Sequence, residues 1–251
     1  MFIDTHCHLS SDYYDNIDKV ILENKENGID KIIISGCSKL EIESSLYYIN
    51  KYNDIFATIG FHPDQAGEIS LDDISELENQ IVNNKKIVGI GEIGLDYHYG
   101  KDAKEKQIEL FECQLKLAEK LNLPVVIHTR NATSDTINIL KKYKVKGVIH
   151  CFSGSLETAN LYIKMGFKLG IGGVLTFKNS KLYQVIEKIS LDSILLETDS
   201  PYLSPEPYRG TVNSSKNVVL VAKKLADIKN TNLNEISKIT LQNTYNIFDL
   251  K

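Results

Sequence analysis

Little in this sequence ties it to an exported, membrane-bound or nucleic-acid-coating protein. Its four cysteines, Cys7, Cys37, Cys113 and Cys151, form no CxxC pair. A chain of 251 residues can bury enough core to fold without disulfide staples, so a reducing compartment is expected, and the cytoplasm is the expected location. No apolar run approaches the length that crosses a bilayer, which predicts no membrane role. Asp4, His6 and His8 stand where an export signal would need an apolar stretch, so none is read there. The net charge of −4 implies no basic surface, which argues mildly against tight non-specific binding to long duplex nucleic acid. It leaves a nucleic-acid substrate open, because bound cations add positive charge that a residue count misses. No fixed-period repeat, low-complexity segment or mark of an obligate protein partner stands out.

What is present is ordinary globular composition, 42% hydrophobic and 25% charged, arranged with a regular alternation. Short apolar runs predict strands at Phe2–Thr5, Lys31–Ser35, Ile55–Ile59, Ile87–Ile90, Val125–Ile127, Gly147–Ile149, Phe167–Leu169 and Ser193–Leu196. Ile32-Ile33-Ile34 is β-branched and unalternated, as in strands covered on both faces. Between the runs, helical periodicity marks 38–50, 71–84, 101–122, 132–143, 155–165, 180–189, 214–229 and 233–247. In 101–122 the apolar stripe is Ile108, Phe111, Leu115, Ala118 and Leu121, and Asn122 and Pro124 close it. Eight strands alternating with helices, with no linker, predict an α/β fold of the (β/α)8 TIM-barrel type, one domain over residues 1–251. The rival is a doubly wound open sheet.

In a barrel, functional residues sit where strands end. The polar outliers fall there. His6 and His8 follow the first run, two apart on an extended chain, so their rings share a face and can chelate one ion. His62 follows the third in Gly60-Phe61-His62-Pro63, and Glu92 the fourth in Gly89-Ile90-Gly91-Glu92-Ile93-Gly94. The glycines around Glu92 suggest backbone crowding near something bound. His128 follows the fifth run, His150 the sixth and Asp199 the eighth. Any one has a bland reading: a packed core histidine, a turn residue or a helix cap. Together they form a set of four histidines, a carboxylate able to bridge and an aspartate, suited to two divalent cations. Cys7 and Cys151 adjoin proposed ligands but should point to the opposite face, as packed small residues.

These motifs resemble the TatD family of metal-dependent hydrolases. The matching stretches are Phe2-Ile3-Asp4-Thr5-His6-Cys7-His8-Leu9, Gly60-Phe61-His62-Pro63, Gly91-Glu92-Ile93-Gly94-Leu95-Asp96-Tyr97, Ile127-His128-Thr129-Arg130, His150-Cys151-Phe152-Ser153-Gly154 and Glu197-Thr198-Asp199-Ser200-Pro201-Tyr202-Leu203. The resemblance implies a TIM-barrel metallohydrolase, with 3′–5′ exonuclease-type deoxyribonuclease activity the usual assignment. It implies one ion on His6, His8, Glu92 and Asp199 and a second on Glu92, His128 and His150, with Glu92 shared, and His62 and Arg130 on the substrate side. One departure stands out. After Arg209-Gly210 the family continues into an Arg-Asn-Glu-Pro-like segment, whereas here Thr211-Val212-Asn213-Ser214-Ser215 follows and of those residues only Asn213 remains. That places the local loop and the substrate preference in question.

The chemistry implied is attack by a metal-bridged hydroxide, with Asp199 as general base, Glu92 as the shared catalytic carboxylate and Arg130 gripping phosphate through its planar fork. A single-stranded DNA end is the expected substrate, since it fits a barrel-mouth pocket better than continuous duplex. The ions are Mg²⁺, Zn²⁺, Mn²⁺, Fe²⁺ or Ni²⁺: histidine-rich sites favour the transition metals, while the family's nuclease activity is described as Mg²⁺-dependent. The alternative keeps the site and changes the bond, giving an ester or amide hydrolase such as a D-aminoacyl-tRNA deacylase. A metal-binding scaffold without turnover is the further rival, and it predicts a lost ligand position, whereas all six are present.

Overall fold

The computed structural model of the protein describes residues 1–98 and 103–250. Its strands are β1 (Phe2–Cys7), β2 (Ile29–Gly36), β3 (Ile55–Ile59), β4 (Ile87–Asp96), β5 (Val125–Arg130), β6 (Gly147–Ile149), β7 (Lys168–Ile171) and β8 (Ile194–Leu196). Its helices are α1 (Ile17–Glu26), α2 (Lys39–Lys51), α3 (Leu71–Asn83), α4 (Lys104–Leu121), α5 (Thr133–Leu140), α6 (Leu156–Lys164), α7 (Leu182–Lys188), α8 (Val218–Lys229) and α9 (Leu233–Ile247). The strands form one eight-stranded sheet whose order follows the chain from β1 to β8. This is the (β/α)8 order the sequence predicts, and not the order of a doubly wound sheet, which reverses at a switch point. The chain divides into two compact units, Met1–Ile34 with Cys151–Ile247 and Ser35–His150 with Phe248–Lys251.

In the first unit β1 pairs in parallel with β2, and β7 with β8. Every residue of β1 is buried, Asp4, Thr5 and His6 included. Their polar groups are satisfied across the unit: Thr5 Oγ1 donates to the Leu196 carbonyl at 3.0 Å. Helix α9 lies against β1 and β8, and Asn243 Nδ2 donates to the Leu191 and Ile194 carbonyls at 2.8 Å each. Helix α1 is absent from the sequence expectation. Most of its residues are polar, and only Ile17, Ile21 and Asn24 are buried, so its apolar stripe is too thin to read.

In the second unit β4 is the long central strand, pairing in parallel with β3 and β5, and β5 pairs with β6. All ten residues of β4 are buried. The backbone crowding expected around Glu92 is present, and the neighbouring strand supplies it. A Cβ on Gly91 would stand 2.6 Å from Val126 Cβ, and one on Gly94, where φ is +148°, would overlap the His128 backbone. Only glycine lets β4 and β5 approach this closely.

Helix α4 begins at Lys104; Lys101 and Asp102, the first residues of the predicted segment, lie outside the described residues. Its buried stripe contains two glutamines, Gln107 and Gln114, seven apart on one face, while Ile108 is only half-buried. Each glutamine pairs with one residue's backbone as a neighbouring strand would. Gln107 takes the Asp96 N–H at 2.9 Å and donates to the Asp96 carbonyl at 2.8 Å; Gln114 does the same at Phe61, at 2.7 and 3.0 Å. These bonds pin the chain beside His62 and the end of β4.

Candidate metal centre

Strands run further than their apolar runs. The sequence reading ended β1 at Thr5, β4 at Ile90 and β5 at Ile127, and so placed His6, Glu92 and His128 beyond the strand ends. The hydrogen-bonded strands extend to Cys7, Asp96 and Arg130, so these three are strand residues. The physical reason is that a strand is held by backbone bonding, which polar side chains facing a site do not interrupt.

Within the first unit, His6 and His8 flank Cys7, and their rings pack edge-to-face with centroids 5.1 Å apart. Cys7 is fully buried, its Sγ 3.8 Å from the Ile33 carbonyl, and burial pushes its thiol well above the ordinary value. That fits the packed role expected of it. The exit of β8 folds over β1: Asp199 N–H donates to the His6 carbonyl at 3.0 Å, and His8 N–H to the Ser200 carbonyl at 2.6 Å. Asp199 itself sits at φ +55°, in the left-handed region that aspartate tolerates better than most residues. Its Oδ1 faces His6 Nε2 at 3.6 Å and His8 Nε2 at 3.7 Å.

Asp4 and Asn213, to which the sequence assigns no role in the site, hold this arrangement. Asp4 Oδ1 accepts the Thr198 N–H at 2.9 Å and the His6 N–H at 3.3 Å, while Oδ2 accepts the Thr198 hydroxyl at 2.5 Å. Burial pushes the Asp4 carboxyl up to about 7, against these hydrogen bonds. Asn213, buried in the divergent loop, donates through Nδ2 to the Thr198 carbonyl at 3.0 Å and the Tyr202 carbonyl at 2.8 Å. Its Oδ1 accepts from Ser214 N and Asn217 Nδ2, both at 2.9 Å. The loop that departs from the family pattern is therefore ordered by the one residue it retains.

Within the second unit, Glu92, His128 and His150 come together. Glu92 Oε1 lies 2.6 Å from His128 Nδ1 and 3.5 Å from His150 Nε2. The far nitrogen of His128 meets Asp96 Oδ2 at 3.2 Å. Burial alone would lower the His128 ring; the Asp96 and Glu92 hydrogen bonds and the Glu92 charge outweigh it and lift the ring to about 9. Asp96 ends below its ordinary value, because His128, the His98 N–H and Arg130 overcome its burial. Cys37 Sγ stands 3.6 Å from Glu92 Oε2. His62 caps a short 3-10 turn, its Nδ1 accepting the Asp64 N–H at 3.3 Å, and its ring meets that of His128 at 4.5 Å, edge-to-face. Arg130 ends β5, exposed. Asp96 and Cys37 carry no signal by residue type alone, though Asp96 lies inside a matching motif.

The donor sets suit divalent cations. Ligands at roughly 2.1 Å in a tetrahedron stand about 3.4 Å apart. The separations of 3.6 and 3.7 Å at Asp199 and 3.5 Å between Glu92 and His150 are too long for good hydrogen bonds and close to that edge. Glu92, His128 and His150 each offer a donor atom within 4.8 Å of the others. The 2.6 Å contact of His128 to Glu92 is a hydrogen bond as it stands, and ligation would replace it.

Comparison with known proteins agrees with this chemistry. The sequence profile of the family described as TatD related DNase matches residues 3–249. The chain is 39% identical to an uncharacterized metal-dependent hydrolase of Bacillus subtilis, YabD, over 99% of both chains. The crystal structure of YjjV, a TatD homologue from Escherichia coli, superposes with a TM-score of 0.91 at 32% identity, covering 99% of this chain and 98% of that one. A TatD family hydrolase from Entamoeba histolytica superposes at 0.89 with 26% identity, over 100% and 98%. Among the described residues no helix is long and apolar enough to cross a membrane. The chain belongs to the TatD-related DNase family of metal-dependent hydrolases, with the (β/α)8 fold of its relatives.

Proposed function

We propose that this hydrolase cleaves phosphodiester bonds of DNA, acting as a deoxyribonuclease on single-stranded ends, with two divalent cations. The observation that carries the reading is the carboxylate–imidazole separations of 3.6 and 3.7 Å in the first unit and 3.5 Å in the second, in a chain of this family. His6, His8 and Asp199 would hold one ion, and Glu92, His128 and His150 the other; the family pattern gives Glu92 to both. Bound divalent ions supply Lewis acidity toward a phosphoryl oxygen and make water a nucleophile near neutral pH.

The chain's own groups do the rest. Asp199 orients the attacking water and accepts its proton, held for that by the Asp4–Thr198–Asn213 hydrogen bonds behind it. Arg130 offers a planar, permanently charged fork to the phosphate. His62 contacts the same group and can donate a proton to it. Asp96 fixes the orientation of the His128 ring through Nε2.

The test runs single-stranded DNA and a D-aminoacyl-tRNA in parallel with the wild type and Asp199→Asn, each with its metal content measured. The proposal expects nucleotide release from DNA, and a loss of about 10²–10⁴-fold in Asp199→Asn with metal largely retained. Cleavage of the aminoacyl ester alone would overturn the choice of bond, and unchanged turnover in the variant would overturn the role of Asp199.

A further inference from the structure

Beside the first cluster stand three of that unit's exposed tyrosines. Tyr13, Tyr202 and Tyr208 are 45%, 47% and 51% exposed. The Tyr202 ring stands 6.1 Å from His8, at 67°, and 5.4 Å from Tyr13, at 77°. His8, Tyr202 and Tyr13 thus form an edge-to-face ladder leading from a candidate metal ligand to solvent.

The ladder is built on fixed backbone. The Tyr202 N–H closes a turn onto the Asp199 carbonyl at 2.8 Å, and Asn213 holds the Tyr202 carbonyl. Next to Tyr13, the Tyr14 hydroxyl donates to the Asn213 carbonyl at 2.8 Å, tying the β1 and β8 loops together. From Tyr13 a groove of about 900 Å³ continues past Tyr208, lined by Lys19, Lys216 and Lys223 against Asp15 and Glu23. Glu23 is bonded to Lys216 at 2.7 Å and lies 3.9 Å from Lys19, while Lys223 is exposed on α8.

Half-exposed aromatics beside a groove that carries lysines are what a single strand needs: rings on which unpaired bases stack, and cations that follow the phosphates. Duplex offers no free base faces to such rings. We propose that Tyr202 and Tyr13 form a stacking platform for the nucleobases adjoining the scissile phosphate, and that the strand continues along the groove past Tyr208 to Lys223. This rests on the DNA reading above. It deepens that reading by assigning a nucleobase subsite to residues outside the metal ligands.

The test measures binding of a single-stranded oligonucleotide with a phosphorothioate end and 2-aminopurine as its terminal base, to the metal-loaded wild type, Tyr202→Ala, Tyr13→Ala, Tyr202→Phe and Lys223→Glu. The expected results are quenching of 2-aminopurine by the wild type and by Tyr202→Phe, and about tenfold weaker binding with lost quenching in each alanine variant. A strand abasic at its end should bind the wild type as weakly as the intact strand binds Tyr202→Ala. Lys223→Glu should weaken binding and lessen its salt dependence. Alanine variants that bind intact and abasic strands as tightly as the wild type would overturn the platform. Cleavage of unmodified DNA by those same variants at the wild-type rate would then leave the nuclease reading standing. Quenching through Tyr202 without any nucleotide release from unmodified DNA would do the reverse, keeping the platform and overturning the nuclease reading.

Discussion

Raising the pH from 7 to 9 at fixed free metal, which takes the neutral fraction of His128 from on the order of one in a hundred to about one half, should tighten binding at the Glu92–His128–His150 cluster by about 50-fold. His128 must be neutral to bind a cation, yet in the metal-free protein Asp96 and Glu92 hold its ring protonated to about pH 9, overriding the effect of burial. At pH 7 the neutral fraction is therefore on the order of one in a hundred, which costs about 2.7 kcal/mol of apparent affinity at 1.36 kcal/mol per pH unit. The same raised value makes the opposite contribution to metal-free stability. It stabilises the fold below the ordinary value of 6.5 and is lost as the pH rises through about 9. Metal-free protein should lose stability over the range where metal binding tightens. The assay is competitive titration of Mn²⁺ or Zn²⁺ against a chromophoric chelator at pH 7, 8 and 9, in a His8→Ala background that weakens the first cluster. Asp96→Asn removes one of the two hydrogen bonds that raise the ring and should shift the rise to lower pH. Affinity independent of pH between 7 and 9, or an Asp96→Asn profile that does not move, would refute the reasoning.

Three further outcomes follow from the contacts. Asn213→Ala leaves the Thr198 and Tyr202 carbonyls without their buried donor, so it should cost about 2–4 kcal/mol and weaken metal binding at the first cluster; urea denaturation and metal titration read both. Gln114→Ala strips both backbone groups of Phe61, and a loss of about 3 kcal/mol should lower the melting temperature by roughly 6–12 °C; a melting point within a degree of the wild type contradicts the pinning role. Asp4, pushed up to about 7 by burial, keeps in the native state a proton that the unfolded chain has lost above 3.8. Its contribution is therefore present below about pH 4 and fades as the pH climbs through 7, and Asp4→Asn should flatten that part of the metal-free stability profile between pH 4.5 and 7.5.

The strand-and-helix alternation was legible because buried parallel strands are apolar on both faces, and the eight runs mark them. The candidate ligand positions stood out for a related reason: His6, His128, His150 and Asp199 are polar residues set at the tips of apolar runs, where a barrel gathers its chemistry. Strand ends were harder, because Glu92 and His128 lie within the backbone ladder while breaking the apolar pattern. The supporting residues were harder still. Gln107, Gln114 and Asn213 are buried amides that substitute for backbone partners, and nothing in their residue type separates them from surface amides. The glycines of β4 point to backbone crowding, but sequence alone cannot say what a missing Cβ makes room for. Here it is the neighbouring strand.

The proposed activity is metal-dependent hydrolysis of DNA by two ion sites. Metal-depleted protein titrated with Mn²⁺, while nucleotide release from a single-stranded oligonucleotide is followed, tests it most directly. No release is expected without metal, and a plateau is expected at two equivalents per chain. Full release by the metal-free protein, or no release at any metal concentration, would contradict it.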